Sequence, residues 1–215
     1  MRYAFITDIH GKRDNLEKVL EHIQTFSSIH EIICLGDVFE VKVPKKDLKD
    51  FQFQCMEQVL DLDWELMNLL KDIRVIKGNQ EERILSLIPE KEFPKDFYNF
   101  LIHMPLEIHL TPMVRLTHGH TFDWTGEEDY WRPSNVHYWS SPWIFYGHNH
   151  QNVLFEVKEI ENNPYYERKS IINGKPITLD SASRYLINIG DMKYDHPSWM
   201  LLDTLENQIT YNILY

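Results

Sequence analysis

Cysteine is scarce in this sequence, and long apolar runs are absent. Two cysteines, Cys34 and Cys55, are too few for a disulfide framework or a cysteine metal cluster. We interpret them as free, buried thiols in a reducing cytoplasm. No run approaches the length of a transmembrane helix, about 18 apolar residues. The first apolar run also ends at Asp8, which is too early for a signal peptide. These absences predict a cytoplasmic protein that does not enter a membrane.

An excess of basic residues is also absent. The formal net charge of -11 argues against a protein that grips long nucleic acid by its phosphates. It does not argue against a small anion held by metal ions, because divalent cations invert the local field. No internal repeat or Gly/Ser linker divides the chain. Its 215 residues with 43% apolar content therefore predict one domain spanning residues 1–215.

Five short apolar runs end in residue types that bind metal ions. The run at residues 3–6 precedes Asp8-Ile9-His10. The other four runs precede Gly36-Asp37, Gly78-Asn79, His118-Gly119-His120 and Gly147-His148-Asn149-His150. Each run is typical of a buried strand. Because ligands bind at the carboxyl ends of strands in open α/β sheets, we expect these polar residues to form one polynuclear site.

Helical spacing of apolar residues follows several of these strands. It predicts a helix over residues 16–26, with Asp14 and Glu17 as a capping box. A long amphipathic helix is predicted over residues 48–69, packed on the sheet rather than forming a coiled-coil seam. Shorter helices are expected over residues 82–88 and 95–103. Apolar runs dominate after residue 152, and Asn173-Gly174 predicts a β-hairpin between two of them. A βαβ first half and a mostly antiparallel second half predict two packed sheets with helices outside.

Aromatic residues are unusually dense between the last two motifs. They are Phe122, Trp124, Tyr130, Trp131, Tyr138 and Trp139. Such a segment can be a stacking platform for a nucleobase or the buried underside of a long loop. We favour the buried underside, because the interspersed acidic residues would repel a phosphate. These are Asp123, Glu127, Glu128 and Asp129.

Seven residues make up the predicted ligand set: Asp8, His10, Asp37, Asn79, His118, His148 and His150. Oxygen and imidazole ligands without thiolates suit Mn, Fe, Zn, Ni or Co. Seven ligands are too many for one open catalytic ion but fit two ions that share a carboxylate. Two such ions, roughly 3.5–4 Å apart, generate a hydroxide nucleophile at neutral pH. We expect two divalent ions, with Mn²⁺ as the first choice.

The ordered motifs resemble those of the calcineurin-like metallophosphoesterases. The resemblance covers residues 2–153, with a weaker echo at residues 188–190, and is closest to small bacterial and archaeal single-domain phosphodiesterases. It implies an α/β fold, a four-layer α/β/β/α sandwich of two mixed sheets flanked by helices. It also implies one ion held by Asp8, His10, Asp37 and His150. The other ion would be held by Asp37, Asn79, His118 and His148, with Asp37 as the bridge.

One position departs from the family pattern. Many relatives have a His beside the leaving-group oxygen where this chain has Gln80. A glutamine donates a hydrogen bond but not a full proton, so basic leaving groups should suffer most. Small phosphodiesterases of the family also lack this His and carry His-Gly-His. The absence of an Arg soon after Gly36-Asp37 makes this sequence unlike the protein serine/threonine phosphatases.

His120 and Arg13 are further residues predicted to act on or near the substrate. His120 either faces the substrate and partly replaces the missing acid, or orients His118. Arg13 and Lys12 are the nearest candidate phosphate contacts, although a solvated helix start is the favoured interpretation for both. Asn149 is interpreted as a solvent-facing or turn residue.

The predicted function is hydrolysis of phosphodiester or activated phosphoester bonds by a metal-bridging hydroxide. The predicted catalytic residues are Asp37, Asn79 and His120, and the predicted substrate contacts are Gln80 and Arg13. One alternative is a phosphomonoesterase for nucleotides or small phosphorylated metabolites, with Arg132 contacting the dianion. Another is an inactive metal-binding scaffold, which the intact ligand set disfavours. The expected partner is a small, nucleotide-like phosphoester and neither long nucleic acid nor a membrane; the oligomeric state stays open.

Overall fold

The computed structural model describes residues 1–127, 130–134, 139–160 and 163–215. The predicted residues Glu128, Asp129 and Tyr138 lie outside these ranges. A first six-stranded sheet contains, in spatial order, β11 (Pro176–Thr178), β14 (Gln208–Ile213), β13 (Ser198–Asp203), β1 (Arg2–Ile6), β2 (Ile29–Cys34) and β3 (Ile73–Val75). Strands β1, β2 and β3 are parallel, whereas β13 is antiparallel to β1. The predicted parallel crossover from β1 to β2 is confirmed.

A second six-stranded sheet faces the first. Its spatial order is β10 (Asn163–Lys169), β9 (Asn152–Ile160), β12 (Arg184–Ile189), β8 (Trp143–Tyr146), β5 (Val114–Thr117) and β4 (Glu107–His109). The central strands β12, β8 and β5 are parallel to one another. The second half is therefore less antiparallel than predicted. A separate hairpin joins β6 (Trp124–Glu127) to β7 (Tyr130–Pro133).

Among the described residues, four α-helices accompany the sheets: α1 (Arg13–Gln24), α2 (Trp64–Leu69), α3 (Asn79–Leu87) and α4 (Lys95–His103). The predicted helices near residues 16–26, 82–88 and 95–103 are confirmed. The predicted capping box is wrong, because Lys12 precedes the helix and makes no side-chain cap, while Asp14 lies inside the first turn.

The long helix predicted over residues 48–69 is also wrong. This segment contains a 3-10 turn at Met56–Gln58 and begins an α-helix only at Trp64. Asp63 caps that helix by accepting the N–H groups of Glu65 and Leu66. Cys55 is extended, and the neighbours Val59 and Leu60 are both buried. The apolar side chains therefore reach the core from irregular backbone, and their spacing only imitates a helical stripe.

Alternating side chains of β1 face two different cores. Ala4 and Ile6 pack with the buried faces of the helices, whereas Tyr3 and Phe5 pack between the two sheets. The outer face of the second sheet is covered by the aromatic side chains of Phe122, Trp124, Tyr130 and Trp139. The predicted α/β fold of two mixed sheets flanked by helices is confirmed. Among the described residues, no helix has both the length and the apolar character needed to cross a membrane.

Two smaller predictions fail. Asn173-Gly174 does form a turn, with a φ of 70° at Gly174, but it is not a hairpin. Strands β10 and β11 on either side belong to different sheets, so the turn carries the chain from one sheet to the other. Cys34 is buried as predicted, whereas Cys55 is exposed because its segment is not a packed helix.

Candidate metal centre

The five polar strand ends meet at one edge of the two sheets. The ligand atoms of Asp8, His10 and His150 lie within 4.8 Å of one another. Those of Asp37, His118 and His148 form a second group of the same size. Asn79, the first residue of α3, places its Oδ1 3.3 Å from Nε2 of His118. The structure therefore brings together all seven predicted ligands, in two groups.

Asp37 lies between the two groups. Its Oδ2 is 3.8 Å from Nε2 of His10 and 3.3 Å from Nε2 of His118. Its other oxygen, Oδ1, accepts the backbone N–H of Gln80 at 2.8 Å. One carboxylate oxygen is thus fixed by the protein while the other faces ligand atoms of both groups.

The first group contains buried polar atoms that the protein does not satisfy. Oδ1 of Asp8 and Nε2 of His10 lie 3.6 Å apart, and neither has a hydrogen-bond partner. Nε2 of His150 lies 3.6 Å from the same Asp8 oxygen. Buried polar groups without partners are rare and need an explanation. A divalent cation would supply one, and this oxygen and nitrogen donor set suits Mn, Fe or Zn.

The backbone is strained at the ligand positions. Positive φ angles of 49° to 72° occur at Asp8, His10, Asp37, His148 and His150. Among the other described non-glycine residues, only Ser28 and Asn207 have positive φ. Such conformations cost roughly 1–3 kcal/mol each and persist where the surrounding structure holds them. Their concentration at one sheet edge marks a functional site.

Two glycines let the ligand loops approach each other closely. A Cβ on Gly147 would collide with Thr7 Oγ1 and Asp8 Oδ2, and one on Gly78 would collide with Asp37. Only glycine leaves room at these positions. Gly78 and Gly147 thus allow the loops that carry Asp37 and Asp8 to pack closely against neighbouring backbone.

Outer hydrogen bonds fix the orientation of the imidazoles. Nδ1 of His118 is 2.8 Å from the carbonyl of Leu35, so it donates there and leaves Nε2 free to bind metal. Leu35, rather than His120, therefore orients His118. Nδ1 of His10 contacts the carboxylate of Glu40, which also pairs with Nζ of Lys193 at 3.2 Å. Glu40 was not predicted, although it lies only three residues after Asp37.

Glu81 is a second residue near the site that was not predicted from the sequence. Its buried carboxylate accepts backbone N–H groups from Gly78 at 2.8 Å, Asp37 at 3.0 Å and Val38 at 2.9 Å. It thereby joins the loops after β2 and β3. A signal was present, because Glu81 stands three residues after Gly78, at the acidic position of a capping box.

The pKa values of the clustered side chains differ strongly from their usual values. Burial opposes a charge on His118, but Asp37 and Asp8 outweigh it and raise the pKa of His118 to about 9. Burial likewise opposes ionisation of the two carboxyls, yet His118 lowers the pKa of both below the usual value. Burial and the charge on His118 lower the pKa of His148 to about 4.

Gln80 and His120 lie beside the second group. The side-chain oxygen of Gln80 accepts N–H groups from Val41 and Arg83, which leaves its NH₂ as a donor. His120 is largely buried, with its ring 5.4 Å from that of His118. Burial and the charge on His118 lower the pKa of His120, although Glu82 lies 3.3 Å from its Nε2. A neutral His120 donates a hydrogen bond more readily than a proton.

Other predicted residues have different surroundings. Arg13 pairs with Asp63 and Glu65, and with Lys12 and Tyr194 it lines a cleft of about 370 Å³. Tyr194 in turn lies 5.7 Å from the ring of His150, so the cleft adjoins the first group. The structure therefore places Arg13 beside the ligands but already engaged with carboxylates.

Arg132 and Asn149 both have partners in the protein. The guanidinium of Arg132 lies 3.9 Å above the ring of Tyr166. Asn149 donates to the carbonyl of Trp131 at 3.0 Å and contacts Asn188. Asn149 lies in a bend, which agrees with the predicted turn residue, and it tethers the β6–β7 hairpin.

Comparison with known proteins places these features in one family. The sequence model of the calcineurin-like phosphoesterase superfamily domain matches residues 1–193. No curated protein sequence matches the chain.

Solved structures show a similar fold. A metallophosphoesterase from Sphaerobacter thermophilus has 17% identity and a TM-score of 0.63, over 100% of this chain and 89% of the other. A candidate diadenosine tetraphosphatase has 15% identity and a TM-score of 0.53, over 100% and 94%. An archaeal phosphodiesterase has 16% identity and a TM-score of 0.47, with full coverage of both chains. The first two likenesses establish the fold.

Proposed function

Because the chain belongs to the calcineurin-like phosphoesterase superfamily, we propose that it is a dinuclear-metal phosphodiesterase acting on small phosphoesters. The observation that carries this proposal is the position of Asp37. One of its oxygens lies within 4 Å of imidazole nitrogens from both ligand groups. A carboxylate in that position supports two ions with a shared bridge.

Each ion would be held by one group, with Asp37 common to both. Asp8, His10 and His150 would complete one coordination sphere, and Asn79, His118 and His148 the other. Two divalent ions would lower the pKa of water towards neutrality and offset the charge of the phosphate. In the overall reaction the water oxygen bonds to phosphorus, the ester P–O bond breaks, and the released alcohol gains one proton.

The chain's own residues hold this arrangement and contact the leaving group. Gln80 fixes one oxygen of Asp37 through its backbone N–H. Leu35 and Glu40 orient His118 and His10. The NH₂ of Gln80 and a neutral His120 would donate hydrogen bonds to the departing oxygen without protonating it fully. This favours esters with acidic leaving groups, such as nitrophenyl diesters and other activated esters.

The remaining features of the proposal follow from the donor set and the composition. We propose Mn²⁺ as the preferred ion, a single domain over residues 1–215 and a cytoplasmic location. Arg13 and Lys12, which line the cleft next to His150, would contact the anionic substrate. Long nucleic acid is not an expected substrate, since the net charge is -11.

The test compares two chromogenic esters with the same leaving group. Mn²⁺-loaded protein should hydrolyse bis(p-nitrophenyl) phosphate with a higher kcat/KM than p-nitrophenyl phosphate. Asp37→Asn, which keeps the shape of the side chain but weakens the bridge, should lose the activity. A preference for the monoester would instead favour the phosphomonoesterase alternative, with His120 as the proton donor. No activity on either ester with metal bound would favour the scaffold.

A further inference from the structure

Trp131 has a different environment from the other aromatic residues near the centre. Most of that segment is packed: the rings of Phe122 and Trp139 lie 4.9 Å apart, and Trp124 lies 5.8 Å from Tyr146. Trp131, however, is 54% exposed. The buried underside predicted from the sequence therefore describes only part of the segment.

The backbone of Trp131 is fixed beside the metal ligands. Its carbonyl accepts a hydrogen bond from Nδ2 of Asn149 at 3.0 Å, and its N–H donates to Gln151 at 3.4 Å. Asn149 stands between His148 and His150, which belong to the two ligand groups. Trp131 is thus linked by direct hydrogen bonds to the loop that carries a ligand for each ion.

The hairpin that carries Trp131 is held on its other face. The guanidinium of Arg132 lies over the ring of Tyr166 at 3.9 Å, and that of Arg168 lies over Tyr130 at 3.6 Å. Both pairs join the hairpin to β10. Alternate residues of a strand point to opposite faces, so Trp131 lies on the face that these pairs leave open. Trp124, on the same side as Trp131, has its ring 5.7 Å from His148.

A glycine shapes the face of the indole. Gly126 lies directly opposite Trp131 in the hairpin, and a Cβ at Gly126 would come within 3.0 to 3.2 Å of the indole atoms. The ring therefore lies flat against the bare backbone of β6. One face of the indole is supported while much of its surface stays open to solvent, which is the geometry of a stacking platform.

We propose that Trp131 stacks on the nucleobase of a nucleotide phosphodiester whose phosphate lies at the metal centre. This inference rests on the proposed function and names its substrate class. Acidic residues in the segment would repel a phosphate, but they do not repel an uncharged base. Every base has an aromatic face, so the platform selects for a base rather than for one sequence.

The test uses two diesters with the same leaving group. One is the p-nitrophenyl ester of thymidine 5′-phosphate, and the other is methyl p-nitrophenyl phosphate, which has no base. Trp131→Ala should raise KM for the thymidine ester about tenfold, as expected for loss of one stacked base, and leave the methyl ester unchanged. Trp131→Phe, which keeps an aromatic ring, should have a KM for the thymidine ester close to that of the parent protein. Gly126→Val, which displaces the indole, should also raise KM for the thymidine ester, but by less than Trp131→Ala does.

The control is Tyr165→Ala, which removes an aromatic ring that is 52% exposed on β10. This variant should leave KM unchanged for both esters. Equal kinetics of Trp131→Ala and the parent protein on the thymidine ester would overturn the proposal.

A binding measurement separates this proposal from the proposed function. Thymidine 5′-monophosphate should quench the tryptophan fluorescence of the Mn²⁺-loaded parent protein, and Trp131→Ala should lose this quenching. Quenching without hydrolysis of either ester would support the platform and contradict the phosphodiesterase. If both esters are hydrolysed but Trp131→Ala changes neither the quenching nor KM for the thymidine ester, the result would support the phosphodiesterase and contradict the platform.

Discussion

The buried carboxylate of Glu81 accepts the backbone N–H of Asp37 at 3.0 Å and so holds the loop that carries Asp37. Each of its two oxygens accepts at least two backbone N–H groups. In Glu81→Gln, one oxygen becomes an NH₂ donor that faces other donors. The unsatisfied groups should lower the free energy of unfolding by roughly 2–4 kcal/mol. Denaturant unfolding of metal-free protein measures this change.

The matched control for that variant is Glu21→Gln, on the exposed side of α1. It should alter the free energy of unfolding by less than about 0.5 kcal/mol. Equal stabilities of the two variants would show that the Glu81 carboxylate does not hold the loops.

Glu40 should tune metal affinity through His10. Because Nδ1 of His10 contacts Glu40, its Nε2 is left as the metal-binding nitrogen. Glu40→Gln keeps an acceptor but removes its charge, which makes the imidazole less basic. We expect Mn²⁺ affinity to fall about 10- to 100-fold, measured by isothermal titration calorimetry. Glu65→Gln, which removes a partner of Arg13 instead, should leave the affinity unchanged. Unchanged binding by Glu40→Gln would rule out this orienting role.

Proton binding by His118 should compete with metal binding. Its pKa rises from 6.5 to about 9 in the folded, metal-free protein. The charge therefore stabilises the metal-free fold fully below pH 6.5, and this contribution is lost as the pH rises through 9. Metal binding requires the neutral imidazole, so it becomes easier over the same interval. The increase in Tm on adding Mn²⁺ should be larger at pH 8.5 than at pH 6.5; an equal increase at both would contradict the account.

Restoring a proton donor at position 80 should broaden the range of leaving groups. A histidine at this position can protonate a departing oxygen, whereas Gln80 only donates a hydrogen bond. Gln80→His should increase kcat/KM for methyl phenyl phosphate about tenfold or more relative to methyl p-nitrophenyl phosphate. Gln80→Ala, which also breaks the contact to Val41, should show no such gain. A folded, metal-loaded Gln80→His without the gain would contradict the proposed role of Gln80 in favouring acidic leaving groups.

The sequence predicts that these polar residues lie together, because each closely follows a buried strand. Parallel strands deliver their carboxyl ends to one edge, so Asp8, Asp37 and Asn79 come together without any knowledge of loop geometry. The outer partners are harder to predict. Glu40 and Leu35 act through loop positions and a backbone carbonyl, and neither leaves a pattern of residue types.

Other features depend on tertiary contacts that periodicity does not carry. The apolar spacing of residues 48–69 arises from irregular chain that reaches the same core as the helices. Trp124 and Trp131 are both tryptophans on one side of a hairpin, yet only Trp131 is largely exposed. That difference comes from the sheet beneath Trp124, which the local sequence does not reveal.

The number of ions bound per chain is the sharpest test of a dinuclear centre bridged by Asp37. Calorimetric titration of metal-free protein with Mn²⁺ should give two ions per chain. His150→Ala should lose the ion of one group and His148→Ala that of the other, so each variant should bind one, while Asp37→Asn should weaken both. A single ion in the parent protein, or two ions still bound by His150→Ala or by His148→Ala, would contradict a dinuclear centre bridged by Asp37.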